Sequence, residues 1–222
     1  MRAPISVVIP TLNAEGQLPE SLGALAHGLE LVRELIVSDG GSADATLRIA
    51  EEAGARVVTG PAGRGGQLRR GADAAQGDWI LFLHADTHLP AGWADAATAH
   101  MPSGAAGWFR LAFRSRGPGA RWTARWANLR SRAGLPYGDQ GLLMPRALYG
   151  DVGGFDDVPL MEDVAMARKL RGRLRPIGAT VTTSAERYEA RGWMRQGARN
   201  LGTLARHLAG ASPEDLAARY HR

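Results

Sequence analysis

The sequence predicts an α/β fold, a mixed and mainly parallel sheet flanked by helices. Three observations predict it. Short apolar, β-branched runs alternate with segments of helical periodicity between residues 5 and 86, and that order calls for parallel strands joined by right-handed crossovers. Turn-forming residues punctuate the alternation. Polar residues gather just after the strands, at the edge where sheets of this class bind ligands.

The elements follow in order. "ISVVIP" (5–10) is a buried strand closed by proline. "EGQLPESLGALAHGLE" spaces Leu18, Leu22, Leu25 and Leu29 as a helix does. "ELIVSD" (34–39) is a second strand. "SADATLRIAEEAG" is a helix with Ser42 as its cap and Gly54 as its stop. "ARVVTG" (55–60) is a third strand, "GGQLRRGADAAQG" (65–77) a helix and "WILFLHAD" (79–86) a fourth strand. The second half is less regular. "AAGWFRLAFR" (105–114) and "QGLLMP" (140–145) read as strands, as does "IGATVTTSA" near the end. "RWTARWANLRSRAG" (121–134) is a helix with Trp122, Trp126, Leu129 and Ala133 on one stripe. "MEDVAMARKLRG" (161–172) opens with acids, which a helix dipole favours. "MRQGARNLGTLARHLAG" puts Met194, Ala198, Leu201, Leu204 and Leu208 on one face, with Arg195, Arg199 and Arg206 off it. Burial against the sheet and contact with anionic lipid both account for these stripes.

The 222 residues suit one domain, and 45% hydrophobic content is ordinary for a globular chain. There is no cysteine, so disulfides and thiolate metal sites are excluded. The opening residues do not read as a signal peptide, and no apolar run reaches the ~20 residues of a membrane helix. A cytoplasmic protein is expected, with peripheral association at the inner membrane face left open. The net charge is +5, and Lys169 is the only lysine. No nucleic-acid-binding signature accompanies that charge, and no nucleic-acid partner is expected.

"LHADTHLP" holds His84, Asp86 and His88 at alternate positions. On a continued strand these side chains would converge as a metal site. Pro90 follows closely, however, so His88 is expected to diverge, exposed and structural. A dinucleotide-binding fold lacks its glycine fingerprint, since the turn after the first strand reads "PTLNAEG". A phosphate loop fails because Gly66 and Gln67 replace its Lys and Ser/Thr. A nicotinamide-dependent oxidoreductase stays as the alternative, because Asp39 at the end of the second strand suits a ribose in either fold.

Four segments in order carry a resemblance. They are "SVVIPTLNAEGQLPESL", "ELIVSDGGSADAT", "GDWILFLHADT", and "VGGFDD" followed by "MEDVAMARKL". Over residues 5–175 the chain resembles the inverting nucleotide-sugar glycosyltransferases of family 2, with the GT-A fold. More narrowly it resembles short bacterial members with an LHADT motif where the family usually has D-x-D. The resemblance implies a single GT-A domain over 1–222: a nucleotide-sugar half (1–100), an acceptor half (101–190) and a C-terminal helical extension (191–222). It implies that Pro10, Thr11, Asn13, Glu15 and Asp39 surround the nucleoside. Arg64, Gln67, His84, Ala85 and Asp86 are placed at the rest of the sugar donor. Asp86 would coordinate Mg²⁺ or Mn²⁺ on the diphosphate. His84 replaces the first aspartate and offers no anionic oxygen, which weakens its claim as a second ligand. Asp163 would be the base, with Glu162 beside it on the acceptor, and Asp139 and Gln140 would form the acceptor floor. The partners implied are a nucleoside-diphosphate sugar and a small-molecule or lipid-linked acceptor. The Q-x-x-R-W of processive members is absent, so transfer of one sugar is expected. A degenerate homologue that binds nucleotide sugar without catalysis is the remaining alternative, raised by His84.

Overall fold

The computed structural model describes residues 4–220. Residues 1–3 and 221–222, the ends of the donor half and of the helical extension, lie outside the described residues. The first half alternates as the pattern requires: β1 (Ile5–Thr11), α1 (Leu18–Leu25), β2 (Val32–Asp39), α2 (Thr46–Glu52), β3 (Arg56–Thr59), α3 (Arg64–Ala74), β4 (Trp79–Phe82) and α4 (Trp93–His100). The second half runs β5 (Ala106–Phe113), α5 (Pro118–Arg132), β6 (Leu142–Pro145), α6 (Arg146–Asp151), α7 (Glu162–Lys169), β7 (Leu174–Thr183), α8 (Glu186–Arg191), α9 (Trp193–Leu208) and α10 (Pro213–Tyr220).

Among the described residues, seven strands form one sheet in the order β3-β2-β1-β4-β6-β5-β7. β1 pairs in parallel with β2 and β4, and β2 with β3. β6 is antiparallel to both β4 and β5, and β7 is parallel to β5. Alternate residues along the strands serve two apolar layers, as the period of two demands. Ile5, Val7, Ile9 and Leu81 face the layer holding Leu18, Trp93 and Ala127. Val8, Ile36, Ile80 and Phe82 face the layer holding Leu68, Leu148 and Met166. Helices therefore cover both faces, which is why these strands read as unbroken apolar runs. A third cluster joins Met161 and Val164 to Leu204 of α9 and Leu216 of α10.

Several elements differ from the sequence-based expectation. β4 stops at Phe82, not at residue 86. The last ladder bond runs from Leu83 N to Val8 O (3.0 Å), after which Thr87 N bonds His84 O (3.1 Å) and closes a turn. His84, Asp86 and His88 thus never share a strand face. His88 does diverge, but it is not exposed: its side chain is 16% accessible, and its backbone bridges Thr182. Ser42 does not cap α2, whose N-cap is Ala45 without a side-chain bond. Its hydroxyl goes to Asp39 instead. β7 begins earlier than expected and includes Pro176, which a strand at the edge of the sheet accommodates. The apolar stripe of α5 points the other way from a sheet-packed helix. Ala120, Thr123, Ala127 and Ser131 are its buried face, and Trp122, Trp126 and Leu129 are exposed.

Candidate active site

The carboxyl ends of β1 and β2 lie side by side, with Thr11 opposite Asp39 in register. Both side chains are buried. Asp39 is saturated: its Oδ1 accepts from Thr11 Oγ1 (2.9 Å) and Ser42 Oγ, and its Oδ2 from the N–H groups of Gly41 and Ser42 (both 2.7 Å). Burial alone would raise its pKa, but these hydrogen bonds outweigh burial and hold the carboxyl below its ordinary value. Two further pairs stitch the same loops together. Asn13 Oδ1 accepts from Ala43 N (2.9 Å), and Glu15 Oε2 accepts from Ala45 N (2.9 Å). Pro10 is half-buried at the end of β1. Gln67 on α3 is committed as a brace, its Nε2 donating to Thr11 O (2.6 Å) and Ser38 O (2.9 Å). Asp39 and Gln67 therefore shape the loop that the resemblance assigns to the nucleoside.

A second group gathers where β4 ends. His84, Tyr137, Gly138, Glu162 and Asp163 line one cavity. Gly138 lies directly under the His84 ring, where an added Cβ would displace the imidazole. Burial and the positive charges of Arg64 and Arg187 push the His84 pKa well below its ordinary value, so the imidazole is neutral near pH 7. Arg114 donates to the carbonyl of Asp86 (2.8 Å) and fixes the turn that holds Ala85 and Asp86.

The acidic pair sits at the first turn of α7, and its aim has a backbone cause. Met161, the N-cap, has φ +67°, a left-handed conformation uncommon for a residue with a side chain. The two acids then separate as neighbouring helical residues must. Glu162 turns inward, 1% exposed, with Oε1 3.2 Å from Arg64 Nη1. Asp163 remains partly accessible, and its Oδ2 accepts from Gly138 N (2.9 Å). Arg64 is held in place by close packing at the start of α3, where a Cβ on Gly65 would strike the Asp156 carbonyl. The Arg64 guanidinium is in electrostatic reach of Glu162, Asp163 and Asp86 together.

Burial, reinforced by Asp163 and opposed by Arg64, raises the Glu162 pKa to about 7. Asp139 is raised to about 6 by burial, against the pull of Arg130 and with the push of Asp163 and Asp86. Its Oδ1 is buried without a hydrogen-bond partner among the described residues. A raised carboxyl pKa means that the fold prefers the protonated form. The stability it confers is full below the ordinary value near 4.5 and is lost as pH rises through about 7. For Glu162 that loss is roughly 3 kcal/mol at most. Glu162→Gln, which carries no charge at any pH, is expected to flatten much of the fall in melting temperature between about pH 5 and pH 8. An unchanged slope in thermal melts across that range would remove Glu162 as its source.

Gln140 does not face the cleft. It is fully buried, donates to Phe109 O (3.0 Å) and accepts from Ser131 Oγ and Tyr137 N. Three residues at this site had not been singled out from the sequence. The Arg130 guanidinium lies 3.2 Å from the centroid of the Tyr137 ring, a close cation–π contact. His207 of α9 feels the charge of Asp163. They come from separate segments, and no spacing rule connects them.

The sequence profile of glycosyl transferase family 2 matches residues 6–143, more than half of the chain. The chain belongs to that family. Membership decides against the dinucleotide-binding alternative, and the sheet is that of the GT-A fold. A PGL/p-HBAD biosynthesis glycosyltransferase of Mycobacterium tuberculosis is 40% identical over 97 residues, which cover 40% of this chain and 38% of the relative. A glucosyl-3-phosphoglycerate synthase of Mycolicibacterium smegmatis is 42% identical over 94 residues, covering 37% and 30%. The chain thus matches under two fifths of the length of these curated relatives. The mannosyltransferase PcManGT of Pyrobaculum calidifontis, solved with GDP-Man and Mn²⁺, superposes with a TM-score of 0.69 at 18% identity, over 100% of this chain and 69% of that one. S. aureus TarS, solved with UDP-GlcNAc, gives 0.64 at 19% identity, over 82% and 58%. These two likenesses speak to the fold. No helix among the described residues is long and apolar enough to cross a membrane.

Proposed function

We propose that this family 2 member transfers one sugar from a nucleoside-diphosphate sugar to an acceptor hydroxyl, with inversion at the anomeric carbon and with Mg²⁺ or Mn²⁺ as cofactor. One observation carries the reading. A partly accessible carboxylate, Asp163, is held by Gly138 N in a cavity shared with neutral His84, while Arg64 links it electrostatically to Asp86. In single-displacement chemistry the base and the leaving group stand on opposite sides of the reacting carbon.

No three His, Asp or Glu side chains among the described residues form a ready-made cation site. The Asp86 carboxylate, in the turn that follows His84, nonetheless suits an ion that arrives on a diphosphate, because the substrate oxygens complete the set. Asp86 would hold that ion. When bound, the ion supplies neutralisation of the charge developing on the leaving diphosphate.

The chain's own residues do the remainder. Thr11, Asn13, Glu15 and Asp39 maintain the nucleoside loop. Arg64 adds a fixed positive charge beside the diphosphate, a task for which Glu162 positions it. Asp163 Oδ1 or Oδ2 takes the acceptor proton as the acceptor oxygen bonds to the anomeric carbon and the carbon–diphosphate bond breaks. Tyr137, held by Arg130, and Asp139 would frame the acceptor. On this reading residues 1–100 form the sugar-donor half, 101–190 the acceptor half and 191–222 the extension.

The test is a thermal-shift panel of UDP, GDP and their sugars, with and without Mn²⁺. A ligand at a hundred times its Kd stabilises the native state by about 2.7 kcal/mol, which for a chain of this size is roughly 5–10 °C. The shift should require Mn²⁺ or Mg²⁺. If no nucleoside diphosphate moves the transition with metal present, the reading fails.

A further inference from the structure

Helices α5 and α9 each turn a row of large apolar side chains to solvent. Trp122, Trp126 and Leu129 on α5 are 46 to 63% exposed, and Met194, Leu201 and Leu208 on α9 are 48 to 78% exposed. The opposite face of α5 packs inward through Ala120, Thr123 and Ala127, and that of α9 through Gln196, Thr203 and Leu204, with Trp193 half-buried at its start. The helices are neighbours: a Cβ on Gly119 of α5 would lie 2.6 Å from the ring of Trp193 at the start of α9. Single exposed apolar residues are ordinary, but two rows on adjacent helices mark a surface that something covers.

Charge selects the occupant. Arg121, Arg125 and Arg132 of α5 and Arg195 and Arg206 of α9 are exposed, whereas Arg130 stacks on Tyr137 and Arg199 donates to Arg219 O (3.0 Å); neither helix contains an aspartate or a glutamate. A second copy docked through the same face would set arginines against arginines across a two-fold axis. An anionic bilayer suits both features at once. Tryptophan and leucine seat at the headgroup boundary, and guanidinium groups beside them meet lipid phosphates.

The surface also borders the acceptor side. Arg130 of α5 stacks on Tyr137, and Ser131 Oγ bonds Gln140 Oε1 (2.5 Å). Leu204 of α9 packs with Met161 and Val164, the residues that bracket Glu162 and Asp163. We propose that the exposed face of α5 and α9 docks on anionic lipid and brings a hydroxyl carried at the membrane surface to Asp163. The delivery half of this proposal rests on the transfer reading above; the docking half does not.

Co-sedimentation of the whole chain with large unilamellar vesicles tests it. Binding is expected to equimolar phosphatidylglycerol and phosphatidylcholine, at least about tenfold weaker to phosphatidylcholine alone, and weaker as salt rises. The double variants Trp122→Ala/Trp126→Ala and Arg121→Glu/Arg125→Glu should each reduce partitioning by about tenfold or more, with melting temperatures near that of the parent. Leu29→Ala, which removes an exposed apolar residue elsewhere, should change nothing. Failure of the parent chain to bind anionic vesicles overturns the proposal, as does undiminished binding by both double variants. So does light scattering that shows a dimer broken by the tryptophan variant. The nucleotide thermal shift of the same variants reads the transfer site separately. Vesicle binding without a nucleotide shift would sink the transfer reading and leave docking standing.

Discussion

Asp163→Asn is expected to reduce sugar transfer by about 10²–10⁴, the contribution of a positioned general base. Nucleoside-diphosphate affinity should stay within a few-fold. The substitution removes the basic oxygen at the cost of one backbone hydrogen bond. Gly138 N donates to Asp163 Oδ2 (2.9 Å), and Val164 N donates to Oδ1 (2.7 Å). Asparagine keeps one carbonyl oxygen for one of these bonds, loses the other because its NH₂ is a donor, and cannot take up the acceptor's proton. The fold should survive, since Asp163 lies at the partly accessible start of α7. Steady-state rates set beside a nucleotide titration separate the two quantities. Full turnover by the variant would end the base assignment. Loss of nucleotide binding in parallel would point to a structural role instead.

Asp86→Ala should eliminate the part of nucleotide binding that depends on metal and slow transfer by about 10² or more. That is the rate equivalent of roughly 3 kcal/mol of leaving-group stabilisation. Asp86 stands in a turn outside the strand, and the turn is held by backbone contacts: Thr87 N to His84 O, and Arg114 to the Asp86 carbonyl. Neither involves its carboxylate, so the loop should persist in the variant. A Mn²⁺ titration of the UDP- or GDP-induced thermal shift reads the effect directly. An unaltered titration would move the ion away from Asp86, and His84→Ala would then be the next substitution to examine.

Strands β1, β2 and β4 were legible as apolar runs bounded by turn residues, and β3, a half-exposed edge strand, by its β-branched pair between such residues. The end of β4 was not. Apolar character continues through Leu83, and only the pairing partner reveals that the ladder has run out. Residue type alone does not separate a brace from a ligand-facing group: Asp39, Gln67 and Gln140 are the kinds of residue that contact substrates, and each also bonds the protein itself. Asp163 was reached through the resemblance, since an acidic pair at a helix start is common for dipole reasons alone. The periodicity of α5 gave the helix but not its orientation. Only the tertiary structure shows that alanine, threonine and serine face the sheet while tryptophan faces out. Arg130, Tyr137 and His207 were invisible because nothing local links them.

The antiparallel β6 has a consequence for how the molecule is assembled. Among the described residues it is the sole strand joining the β3-β2-β1-β4 block to the β5-β7 pair, and it is the sixth of seven strands to be synthesised. Until residues 142–145 emerge, β5 has no neighbour in the sheet on either side. A nascent chain can therefore complete its N-terminal block early, but it must keep β5 from pairing with anything else while roughly thirty further residues are made. That interval is the time at which this protein is most exposed to misassembly.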